Sequence, residues 1–402
     1  MFASRTNWRL EPNRLAIALE EHRRRGKPLF DLTNSNPTTC GFRYPEERIF
    51  AAMSNRRALR YEPESKGMRT AREAIAEYYR GRPGFSGAGT RVDPEQIVIT
   101  SGTSEAYDHV FRLMCEAGDE VLIPAPSYPL FDYLADLTDV RAVPYRLFYD
   151  DGWQIDFAGL EAALTQRSKA LVVVHPNNPT GSFIRKEEAR KLEEICARRG
   201  MAIVADEVFL DYAKGAERHP SFAQGSFVQS KGALTFTFSG LSKIALLPQM
   251  KIAWTVVSGP EGLAKAAIER LDVIGDTYLS PSTPAQLALP EMLAWRDELQ
   301  IQMRQRLASN LAFLDGVFPE AGAVTRLKYE GGWYAVLRVP ATSSDEDLAM
   351  ALLEKGDVLV HPGHFFEFER DGYLIVSLIV PEEEFRKGVR VLGAFFGRES
   401  GG

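Results

Sequence analysis

The stretch Ala233-Leu234-Thr235-Phe236-Thr237-Phe238-Ser239-Gly240-Leu241-Ser242-Lys243 decides how this chain is read. A short run of apolar and β-branched residues closed by Ser-Gly is the pattern of a strand buried on both faces. Lys243 follows its carboxyl end, with the hydroxyls of Ser242 and Ser239 one and four residues before it. Most lysines are solvated surface charges. One placed behind a buried strand suits Schiff-base chemistry instead, in which an amine bonds to a carbonyl carbon. Two further segments offer matching groups, His175-Pro176-Asn177-Asn178-Pro179-Thr180-Gly181 and Ala205-Asp206-Glu207-Val208.

The same strand pattern recurs outward from this stretch. Apolar runs at 97–100, 120–123, 170–174, 201–205 and 252–257 alternate with helix-period segments. The clearest is 186–199, where Ala189, Leu192, Ile195 and Cys196 repeat at helical spacing. Such alternation predicts an α/β fold whose large domain, over 50–285, holds a mostly parallel sheet covered on both faces. The remainder reads as a smaller α+β domain made of 1–49 and 286–402. It has a long helix at 285–318, a strand at 332–339, a helix at 345–355, strands at 358–360 and 373–378, and a last helix at 381–396.

Composition narrows the function classes. With 402 residues, 45% apolar, the chain can bury a large core, and its net charge of −6 offers no basic field for nucleic acid. The basic run His22-Arg23-Arg24-Arg25 reads as a solvated helix end. Cys40, Cys115 and Cys196 are odd in number and widely spaced, which fits reduced cytoplasmic thiols rather than disulfides or a metal site. No apolar run is long enough to span a bilayer.

The chemistry is read from strand ends. Ile99-Thr100-Ser101-Gly102-Thr103-Ser104 follows a strand and opens a helix, so the N–H groups and hydroxyls at Gly102, Thr103 and Ser104 can converge on an anion. Asp206 ends the run 201–205, where ligands sit in doubly wound sheets, and a carboxylate there can keep a pyridine nitrogen protonated. Asn178 is a neutral donor suited to a phenolic oxygen, and is equally a turn residue in Asn-Pro. Together with Lys243 these groups describe a site for pyridoxal 5'-phosphate.

The chain resembles the fold-type I pyridoxal-phosphate aminotransferases of class I/II over nearly its whole length. The likeness is carried by Tyr61 with Gly67 and Ala71-Arg72-Glu73-Ala74, Ser101-Gly102-Thr103-Ser104, Pro126-Ser127-Tyr128-Pro129, Asn177-Asn178-Pro179-Thr180-Gly181, Asp206-Glu207-Val208 and Ser239-Gly240-Leu241-Ser242-Lys243. It implies that Lys243 anchors the cofactor and moves the proton, that Asp206 holds the ring nitrogen, and that Tyr128 stacks on the ring. It implies further that Tyr61 reaches the phosphate of a neighbouring subunit, which makes the protein a homodimer with shared active sites. The expected partners are a small-molecule amino donor and an oxo acid acceptor, with neither nucleic acid nor membrane.

Three positions depart from the family pattern. Phe209 stands where a tyrosine usually donates to the phenolic oxygen, and Tyr212 is a candidate to compensate. Lys251 replaces a phosphate-binding arginine, keeping the charge without the bidentate fork. Ile375 occupies the place of the arginine that grips the substrate α-carboxylate. Candidate replacements are Arg338, Arg43 near the Asn36-Pro37-Thr38 turn, and His361 and His364; Asn36 and Asn178 are the other expected substrate contacts. The expected reaction is transfer of an amino group from an amino acid, of a neutral, alanine-like kind, to a 2-oxo acid. Other pyridoxal-phosphate reactions on the same scaffold, namely β-elimination, decarboxylation or transfer from a simple amine, stay open because of Ile375. A non-catalytic cofactor-sensing regulator is the remaining alternative.

Overall fold

The computed structural model describes residues 1–81, 90–214, 225–319 and 322–399. Its strands, in chain order, are β1 (Phe30–Asp31), β2 (Ile97–Thr100), β3 (Glu120–Ala125), β4 (Arg141–Tyr149), β5 (Trp153–Ile155), β6 (Ser168–Val174) and β7 (Ala202–Asp206). They continue with β8 (Thr235–Gly240), β9 (Ala253–Ser258), β10 (Thr325–Arg326), β11 (Tyr334–Arg338), β12 (Val358–Leu359), β13 (His361–Pro362) and β14 (Tyr373–Ser377).

Eight of them form one sheet in the order β2-β9-β8-β7-β6-β3-β4-β5. From β8 to β4 all neighbours are parallel, while β9 runs antiparallel between β8 and β2. The carboxyl ends of β2, β3, β6, β7 and β8 therefore share one edge. Successive residues of β6 face opposite layers. Val172 and Val174 pack with Val110, Phe111 and Leu271 from the helices Thr103–Met114 and Glu261–Tyr278. Leu171 and Val173 pack with Ala189, Leu192 and Ile195 of the helix Lys186–Arg199. Burial on both faces is why these strands read as unbroken apolar runs.

A second sheet has the order β10-β11-β14-β13, entirely antiparallel. The helix Glu382–Glu399 adds Phe385, Val389 and Leu392 to the same core as Leu374 and Val376. β1 pairs in parallel with β12, so the N-terminal segment is tied to this C-terminal part. The predicted long helix at 285–318 is two helices, Thr283–Ala294 and Arg296–Val317, which meet at the buried Trp295. Pro290 removes one ladder N–H in the turn before that break. Among the described residues no helix is long and apolar enough to cross a membrane.

Candidate active site

Four sequence-predicted groups come from adjoining strand ends. Thr100 closes β2 one residue before Ser101-Gly102, and both Thr100 and Gly240 pair with Ala253 of β9. Asp206 pairs with Val174 of β6 and Phe238 of β8. Lys243 lies in the one-turn helix Leu241–Ile244 directly after β8. The lysine, the acid, the asparagine and the anion turn thus share the sheet edge where parallel strands present ligands.

Lys243 is half-buried, and protein surrounds its ammonium. Nζ lies 4.7 Å from the ring centroid of Trp333 and 5.3 Å from that of Phe209. Burial pulls its pKa down to about 8, with the attraction of Asp206 opposing. Asp206 is 8% exposed, and burial pushes its carboxyl up to about 6. Against that rise, the Val208 N–H donates at 3.2 Å, the Tyr107 hydroxyl donates at 3.1 Å, and Lys243 attracts. Near pH 7 both groups are mostly ionised, and about a tenth of Lys243 is neutral.

The anion turn is open where a phosphate would need room. A Cβ built at Gly102 would stand 3.6 Å from Lys251 Nζ. Thr103 and Ser104 form the first turn of the helix Thr103–Met114, whose leading N–H groups have no helical partner. Lys251 holds φ +53°, a left-handed conformation that costs a non-glycine residue about 1–2 kcal/mol. Ser239 Oγ and Asn178 Oδ1 are buried without a hydrogen-bond partner, and each such atom costs about 1–3 kcal/mol unless a ligand engages it. An ammonium, a carboxylate, an anion cradle that includes the Ser239 hydroxyl, and the Asn178 amide fit the carbonyl, ring nitrogen, phosphate and phenolic oxygen of pyridoxal phosphate.

Other predicted residues are distributed as follows. Tyr128 is raised by burial first and then by the field of Asp206, and stands edge-on to Phe131 at 6.0 Å. Phe209 is buried and edge-on to Trp333 at 5.3 Å, offering carbon where a hydroxyl would donate. Tyr212 does not supply that donor, because its hydroxyl donates to the Lys243 carbonyl at 2.6 Å. Ser242 is half-buried beside Lys243. Asn36 caps the turn Pro37–Thr39, accepting from the Thr38 N–H at 3.1 Å and the Thr38 hydroxyl at 2.8 Å. Tyr61 is 80% exposed on the single chain.

Arg338 and Arg43 are not brought into this cluster. Arg338 is exposed at the outer end of β11, in a groove with Tyr149, Asp151, Lys214 and Lys328. Strand alternation places it on the face of Tyr334 and Val336, but face does not fix distance along the strand. Arg43 is exposed beside Gln302 and Glu382, and His364 is exposed too. Ile375 is fully buried among Val336, Phe366 and Phe368.

Three supporting residues escaped the sequence. Tyr107 bonds Asp206 from four positions into the helix that carries the anion turn, a spacing that was readable. Asn177 accepts from Ser127 at 3.1 Å and donates to the Pro126 carbonyl at 3.0 Å, fixing the loop that presents Tyr128. Trp333 walls Lys243 from ninety residues downstream, a contact that the Gly331-Gly332-Trp333-Tyr334 segment does not announce.

The sequence pattern of the family described as aminotransferase class I and II matches residues 31–392. The chain belongs to that family. The glutamate-pyruvate aminotransferase AlaA of Escherichia coli (strain K12) is 32% identical over 90% of this chain and 88% of its own. The alanine aminotransferase of Mycobacterium tuberculosis (strain ATCC 25618 / H37Rv) is 27% identical over 92% of this chain and 86% of its own. Among solved structures, an alanine aminotransferase from Pyrococcus furiosus superposes with a TM-score of 0.87 over 99% of this chain and all of that one, at 21% identity, which speaks for the fold. An aspartate aminotransferase from Thermus thermophilus superposes with a TM-score of 0.80 at 26% identity, over 98% and 99% of the two chains. The protein is an enzyme that moves an amino group between an amino acid and a 2-oxo acid, and its family generally depends on pyridoxal phosphate.

Proposed function

We propose that this enzyme uses pyridoxal 5'-phosphate held on Lys243 and takes a neutral amino acid of the alanine kind as donor, with a 2-oxo acid as acceptor. The observation that carries the reading is the Lys243–Asp206 pair, an ammonium pulled down to about 8 facing a carboxylate pushed up to about 6 at one sheet edge. Alanine and glutamate–pyruvate preferences belong by name to the relatives above; they supply the choice of substrate class.

When bound, the cofactor supplies an electron sink for negative charge at the substrate carbon that bears the amino group. Thr103, Ser104 and Lys251 would hold its phosphate, with Ser239 adding a hydroxyl. Asp206, steadied by Tyr107 and Val208, would hold the ring nitrogen protonated, and Asn178 would meet the phenolic oxygen. Tyr128 would cover one face of the ring. The Lys243 amine, lowered toward neutrality, can take a proton from the substrate carbon and return it nearby at ordinary pH. Its carbonyl anchor, Tyr212, keeps the one-turn helix in place while Nζ moves. Trp333 and Phe209 exclude water from that amine.

Two further parts of the reading concern assembly. The exposed Tyr61 fits a side chain that completes a second copy's phosphate site, so the enzyme acts as a homodimer. The chain divides into a large domain over 50–285 and a smaller one from 1–49 and 286–402. The functional test is purified enzyme loaded with pyridoxal phosphate, given L-alanine and 2-oxoglutarate, with glutamate and pyruvate quantified. Equal amounts of both products are expected. No glutamate from L-alanine, with pyruvate and free ammonia released from L-serine, would instead mark an elimination.

A further inference from the structure

We propose that His361 binds the carboxylate of the bound amino or oxo acid, its imidazole donating the hydrogen bond; the inference rests on the amino-acid reading of the site. Both kinds of substrate carry a carboxylate on the reacting carbon, and burying it without a donor is costly. Four candidate cations are placed elsewhere. Lys251 faces Gly102, Arg338 and Arg43 lie in surface grooves, and Arg306 donates to the Cys40 and Ile379 carbonyls at 3.1 and 2.9 Å.

His361 lies on β13 directly across the antiparallel ladder from Ile375. Opposed residues project to the same face, and register places Val336, the partner of Ile375 on β11, in that row as well. The imidazole stands edge-on to Phe366 with centroids 5.5 Å apart, and Phe366 is 6.1 Å from the ring of Tyr334. Tyr334 in turn lies by Ser35, which lowers its pKa, and its field acts on Tyr128. The Thr33 backbone is close enough to the imidazole to raise its pKa. His361 is therefore seated between the 33–36 loop and the Ile375 strand, and unlike Ile375 and Phe366 it retains partial exposure. The loop turn carrying Phe366 also accepts the Ser127 N–H at 2.9 Å, which ties this corner to the segment presenting Tyr128.

Burial holds the imidazole neutral, near 4, against the pull of Asp31. A carboxylate arriving beside the imidazole favours its protonation and a charge-assisted bond. The side chain so acts on binding rather than on proton transfer at the reacting carbon.

The test compares enzyme loaded with pyridoxal phosphate as wild type, His361→Ala and His361→Asn, with L-alanine and with ethylamine, which is alanine without its carboxylate. The expected result is a KM for alanine raised about tenfold or more in His361→Ala at nearly unchanged kcat, the loss of one charge-assisted bond. His361→Asn, which keeps a donor, recovers part of that loss, and conversion of ethylamine is the same in all three. Equal losses on alanine and ethylamine would assign His361 a structural role and overturn the proposal, as would an unchanged KM for alanine. If the loaded wild type converts no amino acid at all, the amino-acid reading itself fails, and this inference with it.

Discussion

Replacing Lys243 with methionine should make the cofactor-free protein more stable at neutral pH. Burial lowers the ammonium from its ordinary 10.5 to about 8, and a drop of that size corresponds to about 3 kcal/mol. The unfolded chain keeps the proton up to 10.5, whereas the folded protein gives it up near 8. Folding therefore carries the full penalty below pH 8 and sheds it as pH rises from 8 to 10.5. Methionine retains the aliphatic stem and removes the charge. Asp206 loses its counter-ion in the variant, so its carboxyl rises further above about 6 and takes up a proton instead of persisting as an unpaired buried anion. For 402 residues the unfolding entropy is about 0.8 kcal/mol/K, so a gain of about 3 kcal/mol raises Tm by about 3–4 °C. Calorimetry on stripped wild type and Lys243→Met at pH 7 and pH 10 reads this directly. The gap should be present at pH 7 and largely closed at pH 10. A variant no more stable than wild type at pH 7, or a gap independent of pH, would refute the idea that the lysine is held at a cost to the fold.

Further outcomes follow from the same geometry. Tyr107→Phe removes the hydroxyl that donates to Asp206 at 3.1 Å, so the carboxyl rises above about 6 and the acid limb of cofactor binding moves up by about one pH unit; titrations across pH check it, and an unmoved limb counts against the contact. Lys251→Ala should weaken cofactor affinity about tenfold or more, with Lys251→Arg restoring it, by absorbance titration. Phe209→Tyr places a donor toward the phenolic oxygen and should lower the pH midpoint of the bound cofactor's absorbance change. Asn177→Ala frees the Ser127 and Pro126 contacts and should raise KM more than it lowers kcat, since it loosens the Tyr128 loop without touching Lys243.

Much of the fold was legible because central parallel strands are apolar on both faces. β2, β3, β6, β7, β8 and β9 fell within a residue or two of the apolar runs. β4 and β5 did not: β4 alternates between exposed and buried positions and contains Pro144, so it lacks the continuous run that marked its neighbours. The cofactor groups were legible for the same reason, since Asp206, Asn178 and Lys243 each follow a recognisable strand. What stayed hidden depends on long-range packing. Trp333 meets Lys243 only after the second sheet docks on the first, and the hydroxyl of Tyr212 reaches it across 31 residues of chain. Arg338 shows the opposite error, for period two fixed its face while the strand's length carried it to the surface.

Lys243 is proposed as the covalent anchor of the cofactor. Enzyme incubated with pyridoxal phosphate, reduced with borohydride, digested and mapped by mass spectrometry tests it most directly. One reduced cofactor per chain is expected on the peptide containing Lys243, and none in Lys243→Met. Labelling of another lysine such as Lys251, or no label in protein that is folded and active, would contradict it.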